Sequence, residues 1–99
     1  MQDEETQSKL KNLKLDWFIK GQKYMAYDFD MKDFQRVSEF VDEIKTSCEG
    51  SNSHPDMLIH KNYHIRLELY DKDKGNFGPK EVELAEKIEN IFMNKFQNK

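Results

Sequence analysis

Ninety-nine residues, 36% of them apolar and 35% charged, make one domain with a lean core, filled largely by seven Phe, four Tyr and one Trp. Sixteen basic against nineteen acidic residues, a net charge of −3, do not supply the clustered positive charge that general nucleic-acid binding needs. A single cysteine, Cys48, excludes an internal disulfide framework and a cysteine-based zinc site, and no apolar run approaches the ~20 residues of a membrane span.

The polar start MQDEETQSK does not read as a secretory leader. The expectation is one soluble domain over residues 1–99, cytoplasmic with the nucleus also open to it, and with neither nucleic acid nor membrane as a partner. Residues 3–13 (DEETQSKLKNL) predict a short first helix, with acidic residues in its first turn where they suit the helix dipole, and a small apolar edge of Leu10 and Leu13. In residues 15–29 (LDWFIKGQKYMAYDF) aromatic and β-branched residues flank Lys20-Gly21-Gln22. Gly21 can supply a positive φ there, so 15–19 and 23–29 predict a hairpin with Met25, Tyr27 and Phe29 on one face and Tyr24 on the other. Phe34, Val37, Phe40, Val41 and Ile44 carry the helical period through residues 31–48, with Asp30 as the expected N-cap, Asp33 in the first turn and Gly50 as the stop.

After the loop 49–53, His54-Pro55 opens a second β region: a short strand over 56–60, a turn at Asn62-Tyr63, then Ile65, Leu67 and Leu69 alternating with Arg66, Glu68 and Tyr70. Residues 71–78 read as a loop. Pro79 suits the first turn of a last helix over 79–96, whose apolar side is Val82, Ala85, Ile88, Ile91, Phe92 and Phe96. The order α-β-β-α-β-β-α packs most simply as an α+β domain, a four-stranded antiparallel sheet with its helices on one face. One sheet face and the edges are then uncovered, which predicts self-association unless Arg66, Glu68 and Lys72 keep that face wet.

Three histidines, His54, His60 and His64, fall within eleven residues. A metal set of His-x5-His-x3-His completed by Cys48 or a carboxylate is the sharper reading, but its second spacing crosses the predicted hairpin and no cysteine pair accompanies it. His60 and His64 read instead as polar residues of a strand and a turn, and no metal is expected. His54 stands where the core helix hands over to a strand, with Pro55 fixing the chain behind it. Such a junction can hold an imidazole at a cleft mouth, where its near-neutral pKa suits proton transfer. No Gly-rich phosphate loop, no Gly-x-Ser-x-Gly elbow and no basic aromatic RNA-binding strand is present. Cys48, at the end of an amphipathic helix, reads as a small packing residue.

From the leucines before Trp17 to residue 92 these elements resemble the pterin-4a-carbinolamine dehydratases, also called 4a-hydroxytetrahydrobiopterin dehydratases. The resemblance runs through Phe29-x-x-x-Asp33-Phe34, Phe40, Glu49-x-x-x-Ser53-His54-Pro55, Ile65-x-Leu67-x-Leu69, the loop containing Gly75, and Glu83-Leu84-Ala85-x-x-Ile88. The family's motif is a His-His-Pro triplet with an acidic residue four positions before its first His. A third His ends the last strand, and a further acid follows about nine positions on. Glu49, His54, Pro55 and Glu81 match this pattern. Ser53 stands in place of the first histidine and Lys72 in place of the third. A serine cannot titrate near neutrality, and a lysine is a fixed cation.

The resemblance implies dehydration of 4a-hydroxytetrahydropterin to quinonoid dihydropterin, in tetrahydrobiopterin recycling, without metal or organic cofactor. It implies His54 as general acid/base, Lys72 stabilising the leaving oxygen and Glu49 orienting His54, with Ser53, Pro55 and Glu81 at the pterin. It also implies a homodimer or homotetramer. Some members of the family bind the helical dimerisation segment of a transcription factor, so the alternative is a catalytically impaired member that partners another protein.

Overall fold

The computed structural model describes residues 4–49 and 55–96. The elements are α1 (Glu4–Leu10), β1 (Phe18–Lys20), β2 (Tyr24–Asp30), α2 (Phe34–Ser47), β3 (Asp56–His60), β4 (His64–Leu69) and α3 (Pro79–Lys95). The strands form one antiparallel sheet in the order β1-β2-β4-β3, so β2 and β4 are central and β1 and β3 are edges. This is the expected α+β architecture.

Strand alternation sets the two faces. Met25 and Phe29 of β2 pair with Leu69 and Ile65 of β4, and with Leu67 all of them are buried. The helices cover this face, because the Phe29 ring meets Phe40 of α2 at 5.0 Å and Phe92 of α3 at 4.9 Å between centroids. Removing Phe29 or Phe40 should cost about 3–5 kcal/mol, the usual toll of a large buried ring. The opposite face carries the alternate residues, among them Asp28, His60, His64, Arg66 and Glu68.

Three local features differ from the sequence expectation. The N-cap of α2 is Asp33 rather than Asp30: its Oδ1 accepts from Arg36 N at 2.8 Å, whereas Lys32 before it has φ 76° and cannot be helical. Asp30 ends β2 and turns its own Oδ1 to Lys32 N. Phe34 therefore opens the first turn and is 55% exposed, while Val37, Phe40 and Ile44 form the buried stripe. The first strand starts at Phe18 rather than Leu15, because Leu15 and Trp17 are held by α3 instead of by the sheet. The expected stop at Gly50 lies outside the described residues; α2 ends at Ser47 with Cys48 as its C-cap.

That hold is a buried carboxylate. Glu89 of α3, 1% exposed, accepts from Lys14 N at 3.0 Å, Leu15 N at 2.9 Å and the Trp17 indole Nε1 at 2.8 Å. A charge can be buried this way because three donors replace its water. Helical spacing puts Glu89 on the apolar side of α3, four residues after Ala85 and three before Phe92, but the pattern does not show which donors it meets.

Candidate active site

The open end of the β3–β4 pair is built by register. Asp56 faces Glu68 across the ladder, so the chain leaving β4 at Leu69 passes beside the chain entering β3. Tyr70 Oη donates to Asp56 Oδ2 at 2.7 Å, and Lys72 Nζ lies 2.9 Å from Asp56 Oδ1. The ammonium also sits over the Tyr70 ring, 5.0 Å from its centroid. Asp56 thus ties together a phenol and a cation at one end of the sheet, and the hydrogen bond to its carboxylate holds the Tyr70 hydroxyl above its ordinary value.

The following loop gives Lys72 a fixed root. Asp71 N donates to Asn76 O at 2.6 Å, and Asp71 Oδ1 accepts from Asp73 N and Lys74 N at 2.9 and 3.2 Å. Gly75, at φ 70°, closes the turn by donating its N–H to Asp71 O at 2.8 Å, a conformation that a Cβ would strain.

Of the residues singled out in the sequence, Ser53 and His54 lie outside the described residues. Pro55, next in the chain, is buried, and Glu49 is exposed just past the end of α2. Lys72 is brought to Asp56, two positions beyond His54 in the chain. Glu81 Oε1 accepts from the backbone N–H of Gly78 at 2.7 Å, the one arm of a capping box that a glycine N-cap allows, and so anchors the start of α3 at Gly78-Pro79. It also lines a shallow hollow of about 270 Å³ with Asp71, Lys74 and Asn76. Asp56 and Tyr70 were not foreseen. The charge complementarity of Asp56 and Lys72 is visible in the sequence, but only strand register shows that they meet.

A two-layer α+β domain with helices on one sheet face, and a charged cluster where the Pro55-led edge strand begins, is the class to which these features point. The chain belongs to the pterin 4 alpha carbinolamine dehydratase family, whose model matches residues 1–91. It is similar to a Saccharolobus islandicus protein named "Putative pterin-4-alpha-carbinolamine dehydratase", 30% identical over 83 residues and covering 83% of each chain. A Sulfurisphaera tokodaii protein of the same name is 31% identical over 75 residues, 76% of this chain and 78% of its own. In structure it is similar to the transcriptional coactivator/pterin dehydratase from Brucella melitensis, with a TM-score of 0.76 and 20% identity over 92% of this chain and 96% of that one.

Proposed function

We propose that the chain dehydrates a 4a-hydroxytetrahydropterin to the quinonoid dihydropterin, as a step of tetrahydrobiopterin recycling. The proton on N5 leaves, the C4a–oxygen bond breaks, a C4a–N5 double bond forms, and the hydroxyl departs as water with a proton delivered to it. His54 carries both transfers in sequence, first as base and then as acid, because it is the one motif histidine that the chain retains. Glu49 orients its imidazole. Ser53 hydrogen-bonds the pterin, and Pro55 and Glu81 shape the pocket, Glu81 by anchoring the start of α3.

The observation that carries this reading is the Lys72–Asp56 pair, which holds a cation at the start of the strand that follows Pro55, in a chain whose family match spans residues 1–91. Lys72 is a charge stabiliser for the leaving oxygen, its Nζ held 2.9 Å from Asp56 Oδ1. Rate enhancement then rests on one imidazole, worth typically 10²–10⁴-fold.

The active form is a homodimer or homotetramer. Support comes from edge strand β3, where Leu58 is 59% and Ile59 42% exposed, an apolar edge that a second copy would cover. A second reading, partnership with another protein, draws on the coactivator name of the Brucella melitensis structure. Turnover of the 4a-hydroxy substrate above its spontaneous rate supports the enzyme; turnover equal to that rate leaves the partner reading.

A further inference from the structure

The histidines set aside in the sequence meet on the sheet face away from the helices. His60 ends β3, His64 begins β4, and the two are cross-strand partners with rings stacked at 5.0 Å and 17°. The turn between them takes two non-glycine residues through positive φ, Lys61 at 58° and Asn62 at 69°. Asp28 of β2 completes the group: His60 Nε2 lies 2.7 Å from its Oδ2, and His64 Nδ1 lies 3.0 Å from its Oδ1. The three donor atoms lie within 4.8 Å of one another. Arg66, the residue facing Asp28 across the ladder, turns its Nε to Glu68 Oε2 at 3.0 Å, so its charge is drawn along β4 away from the histidines.

We propose that Asp28, His60 and His64 form a binding site for a divalent transition ion of the Zn²⁺ type, with three protein donors and one position open to water. Two imidazoles and a carboxylate suit such an ion; Mg²⁺ and Ca²⁺ prefer sets made of oxygen. A tetrahedral ion at about 2.0–2.2 Å from each donor separates adjacent donors by about 3.4 Å. Relative to that spacing the 2.7 and 3.0 Å contacts, each to a different oxygen of Asp28, open by about 0.7 and 0.4 Å, and donor atoms now up to 4.8 Å apart draw together, shifts within reach of side-chain rotation. On binding, each imidazole shifts its proton to its other ring nitrogen and presents a lone pair where it now donates to Asp28. All three side chains are partly exposed, so the ion enters from solvent without unfolding the sheet. It ties edge strand β3 to β4 and β2. This site does not involve the His54 motif, and its bound ion takes no part in the dehydration.

The test is calorimetric titration of ZnCl₂ into the full chain stripped with chelator. One Zn²⁺ per chain is expected, with a dissociation constant on the order of micromolar (about −8 kcal/mol as that constant converts), unaffected by excess Mg²⁺. The melting temperature should rise with Zn²⁺. His60→Gln and Asp28→Asn should each weaken binding at least tenfold, while Cys48→Ser and His54→Gln leave it intact. Binding no tighter than millimolar, or binding that survives both site variants, overturns the proposal. Should a site variant fail to fold, NMR of wild-type imidazoles decides: the first equivalent of Zn²⁺ must shift His60 and His64, and a shift confined to His54 overturns the site.

Discussion

Replacing Glu89 by Gln tests how the start of the chain is fastened to α3. The carboxylate offers two oxygens to Lys14 N, Leu15 N and the Trp17 indole, all within 3.0 Å. Glutamine keeps the volume but retains one acceptor oxygen and aims an NH₂ group at N–H donors. Hydrogen bonds to a charged group are worth about 1.5–3 kcal/mol each, and a buried donor left unpaired costs about 1–3 kcal/mol. Losing one such bond and stranding one donor destabilises by about 2–4 kcal/mol, since the loop between Leu10 and Phe18 relaxes to recover part of it. At about 4–8 °C per kcal/mol for a domain of this size, the melting temperature falls by at least about 8 °C. Urea unfolding followed by the fluorescence of Trp17, the single tryptophan, reads both the global loss and the local change. A Glu89→Gln variant within about 0.5 kcal/mol of wild type, the scale of an ordinary surface substitution, would refute the claim that this carboxylate holds the segment.

The remaining predictions concern the candidate site and the assembly. The hydrogen bond to Asp56 raises the Tyr70 pKa, so the stability it lends is complete below the unfolded-state value near 10 and fades as pH rises through the higher folded value. A UV-monitored titration should show the Tyr70 phenol ionising late, and Asp56→Asn should bring it back toward 10. Restoring the family histidines with Ser53→His and Lys72→His should raise the dehydration rate severalfold, because each returns a group that moves protons near neutrality; no gain would make Ser53 and Lys72 working alternatives. Light scattering should give a mass of at least twice the 11.9 kDa of one chain, and Leu58→Lys should lower it by charging the β3 edge.

How much could be read from the chain follows from the range of the interactions. The sheet was legible because Ile65, Leu67 and Leu69 alternate over a buried face, and α2 and α3 because their apolar residues keep a 3.6 period. Boundaries slipped where a polar contact overrode the local pattern. Asp33 out-competed Asp30 as the cap once Lys32 left helical space, and Glu89 drew Leu15 and Trp17 out of the strand they resembled. Glu49, His54 and Pro55 were legible as parts of a family pattern, and the family it implied is the one the chain belongs to. The company that Lys72 keeps was not, because Asp56, sixteen positions earlier, reaches it only through the β3–β4 register. The spacing of His60 and His64 spoke against a shared site so long as a hairpin looked like a separator; the hairpin is what makes them partners.

The central claim, that one imidazole runs the dehydration, meets its most direct test in a single rate comparison. Wild type and His54→Ala are assayed on 4a-hydroxytetrahydropterin at about pH 7.5, where an imidazole can both take and give a proton, with the spontaneous rate subtracted. The account predicts measurable wild-type turnover and a loss of roughly 10²-fold or more in the variant, the scale of one general acid–base group. A variant as fast as wild type would contradict it.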